Sequence, residues 1–481
     1  MTTINLRTLL KIVGLILVII SVTFLFCIPV ALIYSEPARP FLFSFVTAVI
    51  PGLMLYLLVR SSIEEKITIK EGYLSVTLGW LTMIFAGTLP YIYSGEIKGF
   101  QNILFETASG FTTTGSSILS DVEAVSKSIL FWRSLTHWIG GIGIIVLVII
   151  ILPTLKVGGY NLFSLESSLK QKILPKTKSI AYRIMMIYVG ITALEVIVLS
   201  LGGMNLFESL CHSFGTVATG GFSPKNDSIA GYSPFIQYAV GVFMFAAATS
   251  YIVFYYLIHL SFSKIKANEE FWFYIFFTTA AVVVVTLILY TGTERSFEES
   301  FRHSFFQVIS QISCTGFATT DYTVWPQIGW FVMLLLMFAG GSTGSTTGGI
   351  KMARHLISLK NMRSILIRLH HPKAVIPVKL NDRLVPEEIT SLMTGFIQLY
   401  ILIFVAGTLI MVFTGIPVIE SAGASATSMA GIGPGMGASG NMGNYAHFNT
   451  IAKMDMVILM LIGRLEIYTI MALFTRSFWK N

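Results

Sequence analysis

Charge is scarce in this sequence. Asp, Glu, Lys and Arg make up 12% of its 481 residues, about half the share of a soluble domain. Cysteine is scarcer. Cys27, Cys211 and Cys314 stand apart with no CxxC pair, which argues against a disulfide framework or a zinc site. The histidines are scattered, and the one adjacent pair, His370-His371, has no acidic partner at ligand spacing. HExxH and paired-carboxylate motifs are missing, so neither a metalloprotease nor an acid–base pair is marked. No stretch between apolar runs is long enough for a soluble nucleotide-binding domain.

Apolar residues fill the gap: 54% of the chain is hydrophobic and 13% aromatic, with a mean hydropathy of +0.76. An all-α polytopic membrane protein follows. Runs of about 20 apolar residues suffice to span a bilayer. They occur at 9–34, 41–60, 73–93, 129–155, 181–202, 234–262, 271–291, 327–360 (interrupted), 389–415 and 452–475, which predicts about ten transmembrane helices. The first run is too long for a signal-peptide core and lacks a small-x-small cleavage site, so it reads as a retained helix.

The net charge of +8 is explained by the excess of Lys and Arg in cytoplasmic loops. Nucleic-acid binding would need a basic surface interleaved with exposed aromatics, and none is present. The segment after 155 carries Lys156, Lys170, Lys172, Lys176, Lys178 and Arg183 against Glu166. The segment after the interrupted run carries Lys351, Arg354, Lys360, Arg363, Arg368, Lys373, Lys379 and Arg383. With Arg7, Lys11, Arg476 and Lys480, this predicts both termini in the cytoplasm. Acidic residues such as Asp121, Glu123, Glu208, Asp227, Glu298 and Glu420 fall on the opposite side.

On that outer side lie four short apolar segments, 100–112, 205–217, 298–313 and 418–430. Each is too short to span and reads as a re-entrant helix. Each runs into glycine: Thr113-Thr114-Gly115, Ala218-Thr219-Gly220, Cys314-Thr315-Gly316 and Gly431-Ile432-Gly433. One Thr-Gly dipeptide is an ordinary turn. Four in the same context are an internal repeat. An ion filter needs this arrangement, because carbonyl oxygens from several loops must replace a hydration shell around one axis. The predicted organisation is an N-terminal helix pair (1–66) followed by four helix–pore loop–helix repeats at 67–156, 157–263, 264–370 and 371–481.

These residues resemble the Trk/Ktr/HKT superfamily of potassium transport proteins, and within it the TrkH-like branch of bacterial Trk systems. The resemblance spans the whole chain. It implies a K+ uptake subunit, also passing Rb+, in the bacterial inner membrane. Gly115, Gly220, Gly316 and Gly433 would build the filter, with K+ held at Thr114, Thr219, Thr315 and Ile432 and no covalently bound cofactor. In the plant relatives, serine at the first glycine position accompanies Na+ preference, so four glycines favour K+. The resemblance also implies a homodimer and a cytosolic TrkA-type nucleotide-binding partner docked on the basic loops. Those loops fit the positive-inside rule equally well.

Residues 338–353, FAGGSTGSTTGGIKMA, interrupt a span. Irregular backbone survives at membrane depth only inside protein or beside water. A phosphate loop is excluded, since Ile350 separates Gly349 from Lys351. A small-residue helix interface is one reading. A loop is the other, because Gly340, Gly341, Gly344, Gly348 and Gly349 are more glycine than packing needs. The resemblance makes this stretch, with Ser345, Thr346 and Thr347, a pore-blocking loop, and makes Arg464 in the last span its partner. Arg464 could instead snorkel to the interface. Glu195, Arg133 and His137 carry no assigned role. The runner-up function is K+ symport with H+ or Na+, although midplane acids are few and the repeats share one sense.

Overall fold

The computed structural model describes residues 4–59, 68–146 and 173–479. The basic residues Lys156, Lys170, Lys172 and Lys480, and the boundaries at 66/67 and 156/157, lie outside the described residues. Among the described residues the regular structure is helical apart from a two-strand hairpin, β1 (Lys379–Leu380) and β2 (Arg383–Leu384), and an isolated bridge between Ala339 and Ile350. The N-terminal pair is α1 (Leu6–Phe24) with the short α2 (Cys27–Ile33), followed by α3 (Arg39–Leu58). Glycine brings α1 and α3 together: a Cβ on Gly14 would lie 2.9 Å from the Gly52 carbonyl oxygen, a close small-residue contact of membrane type.

Four units follow. The first is α4 (Ile69–Gly87), α5 (Leu89–Ser94), α6 (Phe100–Phe111) and α7 (Lys127–Val146). The second is α8 (Ile173–Leu201), α9 (Leu206–Val217), α10 (Pro234–Ala247), α11 (Tyr251–Ile258) and α12 (Phe262–Lys266). The third is α13 (Glu269–Gly292), α14 (Phe297–Ile312), α15 (Gln327–Leu336) and α16 (Met352–His370). The fourth is α17 (Glu387–Phe413), α18 (Val418–Ala430), α19 (Thr450–Arg464), α20 (Ile467–Leu473) and α21 (Arg476–Trp479). Units touch in a closed cycle through α7 and α9, α10 and α14, α16 and α17, then α19 and α6.

The short helices α6, α9, α14 and α18 match the predicted re-entrant segments to within two residues. Two of their starts are capped locally. The Asn205 side chain accepts the Glu208 N–H at 2.8 Å, and Ser296 with Glu299 forms a reciprocal capping box, each satisfying amides a helix leaves open.

Six helices among the described residues are long and apolar enough to cross a membrane, and eight if two bent pairs count as spans. Three of the ten expected runs bend or break. The 234–262 run breaks by 97° between α10 and α11, and the 452–475 run by 111° between α19 and α20. The 129–155 run is described only to Val146. The interrupted run is two helices, α15 and α16, joined by non-helical backbone. α1, α3, α8, α13 and α17 leave most of their apolar windows unburied. Water would not tolerate so much exposed apolar surface, and this is a multi-pass membrane protein. Trp132 on α7 anchors the first unit: its indole N–H donates to the Gly87 carbonyl at 3.2 Å, and its ring lies edge-on to Phe111 at 6.1 Å.

Candidate functional site

The segments after the four short helices meet around one axis. Each repeats a backbone pattern of two left-handed residues separated by one: Thr113 and Gly115, Thr219 and Gly221, Cys314 and Gly316, Gly431 and Gly433. The hydrogen bonds agree. Thr114, Gly220, Thr315 and Ile432 donate N–H groups to Ser109, Gly215, Ser310 and Thr427 of the preceding helices. The second repeat is thus one residue out of the predicted register. Gly221, not Gly220, stands where Gly115 stands, and Gly220, not Thr219, stands level with Thr114. Sequence offered two adjacent glycines, and only the end of α9 at Val217 chooses between them.

The ring closes through these glycines. A Cβ at Gly115 would overlap the Gly220 carbonyl oxygen, at Gly221 the Thr315 carbonyl, and at Gly316 the Ile432 carbonyl. A Cβ at Gly433 would lie 2.7 Å from the Thr114 carbonyl oxygen. Each segment therefore presses on the next carbonyl in the cycle. Thr113, Thr219 and Cys314 hold φ of 52°, 55° and 54°, a region that costs a Cβ-bearing residue about 1–3 kcal/mol. Packing around the ring sustains that strain. Side-chain chemistry alternates: Thr112 and Thr114 hydroxyls meet at 2.8 Å, as do Ser313 and Thr315, whereas Ala218/Gly220 and Ala430/Ile432 have no such pair.

A buried polar shell holds the ring from behind, and sequence reading missed most of it. Arg133 on α7 pairs with Glu106 on α6 at 2.6 Å and donates to the Ser223 carbonyl at 3.1 Å. Glu106 also accepts the Ser117 hydroxyl and the Ile118 N–H. His137 stacks on Phe222, with centroids 4.1 Å apart. Ser116 and Tyr445 both donate to the Gly433 carbonyl at 2.9 Å, and Tyr322 donates to Gly435 at 2.5 Å. Nearer the outer rim, the Asn226 amide donates to Asp121 at 2.8 Å and holds that carboxyl below its usual range.

The Arg133–Glu106 pair gives a direct prediction. Arg133→Ala should cost about 3–5 kcal/mol, because a buried carboxylate loses its cation. It should lower the thermal midpoint of the detergent-solubilised protein clearly. A Glu106→Gln/Arg133→Met double variant should recover most of the loss. An unchanged midpoint in Arg133→Ala would remove the pair from the ring's support.

The interrupted stretch lies directly against the inner ends of the short helices. The Thr346 hydroxyl donates to the Val217 carbonyl at 3.0 Å. A Cβ at Gly348 would overlap the Ala430 carbonyl, and one at Gly349 would lie 3.7 Å from the Cys314 sulfur. The stretch also repairs the break between α10 and α11. Ser342 N–H donates to Ala248 O at 2.9 Å, and Tyr251 N–H donates to Gly344 O at 3.2 Å. Freed backbone groups at membrane depth need such partners. Gly340 N–H donates to Ile350 O at 2.9 Å, closing the stretch into a loop, and Ser345 meets Thr347 at 2.8 Å. The loop reading holds over the helix-interface reading.

Arg464 is buried at the end of α19, not extended toward an interface. Its guanidinium donates to the Thr346 carbonyl at 2.8 Å and to Gly140 at 3.4 Å. Glu466 pairs instead with Arg354 at 2.5 Å. Lys351 donates to the Thr347 carbonyl and hydroxyl. Arg464, Arg354, Lys351 and Glu466 line a cavity beneath the loop with Gly344 and Tyr400. No group of three or more metal-ligating His, Cys, Asp or Glu occurs among the described residues.

Known proteins share this architecture. The family model described as TrkH, cation transport protein, matches residues 39–480. The chain is 34% identical over 483 residues to the Trk system potassium uptake protein TrkH of Escherichia coli (strain K12), covering 99% of each. It is 30% identical to the Trk system potassium uptake protein TrkG of the same strain, covering 100% of each. The crystal structure of the potassium transporter TrkH from Vibrio parahaemolyticus superposes with a TM-score of 0.92 at 31% identity, over 99% of this chain and 100% of that one.

Proposed function

Given that the chain belongs to the TrkH family of cation transport proteins, we propose that it is the K+-conducting membrane subunit of a bacterial Trk uptake system. The observation that carries this is the closed ring of four left-handed glycines, each against the next segment's carbonyl. K+ sheds its water to carbonyl oxygens at the levels of Thr114, Gly220, Thr315 and Ile432, as Rb+ would. The short helices aim their C-terminal, partly negative ends at the axis.

In this reading the loop from Gly340 to Gly349 is the gate, and Arg464 is its lock. The basic face carrying α16 and the hairpin lies in the cytoplasm with both termini, and the protein sits in the inner membrane. A cytosolic nucleotide-binding partner docks there, and two copies of the chain form a dimer. The N-terminal pair and the four units keep the boundaries drawn from sequence, and no enzymatic step or covalently bound cofactor takes part.

Coupling to H+ or Na+ is the second reading. Glu195 favours it: this carboxyl is fully buried on α8 beside Thr216. One experiment separates the two. Purified protein in liposomes should pass K+ and Rb+ down a K+ gradient alone. Flux that appears only after a proton or sodium gradient is imposed would replace the pore by a symporter.

A further inference from the structure

The gate loop leaves α15 and enters α16, and one side chain from a third helix touches both the loop and the first turn of α16. Glu270 lies in the first turn of α13 and is fully buried. Its Oε1 accepts the Thr343 N–H at 2.6 Å and the Ala353 N–H at 3.0 Å. The two amides are ten positions apart, one inside the loop and one in α16, with Gly344 to Gly349 between them. Its other oxygen makes no hydrogen bond, so the carboxylate's bonding is spent on the loop.

The electrostatics explain why a carboxylate belongs there. Ala353 is the second residue of α16, whose N-cap, Lys351, offers no side-chain acceptor. A helix N-terminus leaves amides open and carries partial positive charge. Glu270 supplies the missing cap from another helix, and charge-assisted bonds of this kind are the strong ones. The same helix end is tied to the basic face. The Asn381 side chain in the hairpin accepts the Glu269 N–H at 2.8 Å. Lys360 on α16 bonds both Glu269 and the Lys379 carbonyl. Movement of the hairpin therefore bears on α13 one residue from the clamp.

Resting on the gate reading above, we propose that Glu270 is the positioning residue that clamps the gate loop shut and that releases it when the α13 end is displaced from the basic face. Native cysteines report on this. Cys314 is buried beside Gly349, while Cys27 and Cys211 are buried elsewhere.

The test is N-ethylmaleimide labelling of the full chain in liposomes, mapped by peptide mass spectrometry, alongside K+ flux. Glu270→Gln should raise Cys314 labelling and K+ flux by roughly tenfold, with Cys27 and Cys211 unreactive and the K+/Na+ ratio unchanged. Glu270→Asp keeps the charge, cannot span both amides, and should fall between. Unchanged labelling and flux in both variants would overturn the clamp. Reaction of all three cysteines would overturn it too, in favour of a purely structural residue. Faster Cys314 labelling without added flux would support the clamp and overturn the gate reading.

Discussion

Replacing Arg464 with alanine is expected to raise resting K+ flux about tenfold or more in liposomes without any partner protein. Two effects add. The guanidinium ties the Thr346 carbonyl to the Gly140 carbonyl on α7, and a hydrogen bond to a charged group is worth about 1.5–3 kcal/mol. Its loss shifts a two-state gate by one to two decades. In the pore reading the same charge also opposes a permeating cation, since two like unit charges about 8 Å apart at an effective dielectric near 20 repel by about 2 kcal/mol. Arg464→Lys should be milder, since it keeps the charge and loses the planar fork. An unaltered resting flux in Arg464→Ala would return the residue to a packing role.

Serine at Gly115 or Gly316 should collapse the K+/Na+ flux ratio by about tenfold or more. Both glycines hold φ of +82°, which costs a side chain roughly 1–2 kcal/mol. The added Cβ would also overlap a ring carbonyl, of Gly220 or Ile432 respectively. That carbonyl must turn away, and dehydration of K+ loses its compensation. The shifted register makes the comparison sharper. Gly221→Ser strikes the Thr315 carbonyl and should behave like Gly115→Ser, whereas a Cβ at Gly220 meets the His137 ring. Flux ratios with Rb+ and Na+ in single liposome preparations decide it. Wild-type ratios in both Gly115→Ser and Gly316→Ser would remove those glycines from the ring.

Much of this architecture is local and therefore readable in the chain. Four short apolar segments, two of them capped by Asn205 and Ser296, are too short to span, so they turn back. Five glycines with serines and threonines between 340 and 349 cannot sustain a helix, so the span breaks there. Positive-φ threonine is not readable, because Thr113 and Thr219 adopt it only under the packing of neighbouring segments.

The clearest failures concern partners distant in sequence. Glu106 and Arg133 are 27 residues apart, and Glu270 and Ala353 are 83 apart. No local pattern around Glu106 or Glu270 marks either carboxylate as a partner of those groups. The Ala218-Thr219-Gly220 register failed for a related reason: the helix end that sets it depends on where α9 packs.

Composition and periodicity alone determined that this chain is a helical membrane protein with four re-entrant units and one broken span, because bilayer thickness and helix propensity act on consecutive residues. Which carbonyls face the axis, which glycine of the second unit closes the ring, and which buried charges hold the loop were decided only by tertiary structure. Those depend on units some tens to hundreds of residues apart meeting around one axis, where a buried polar group is costly unless the fold brings it a partner.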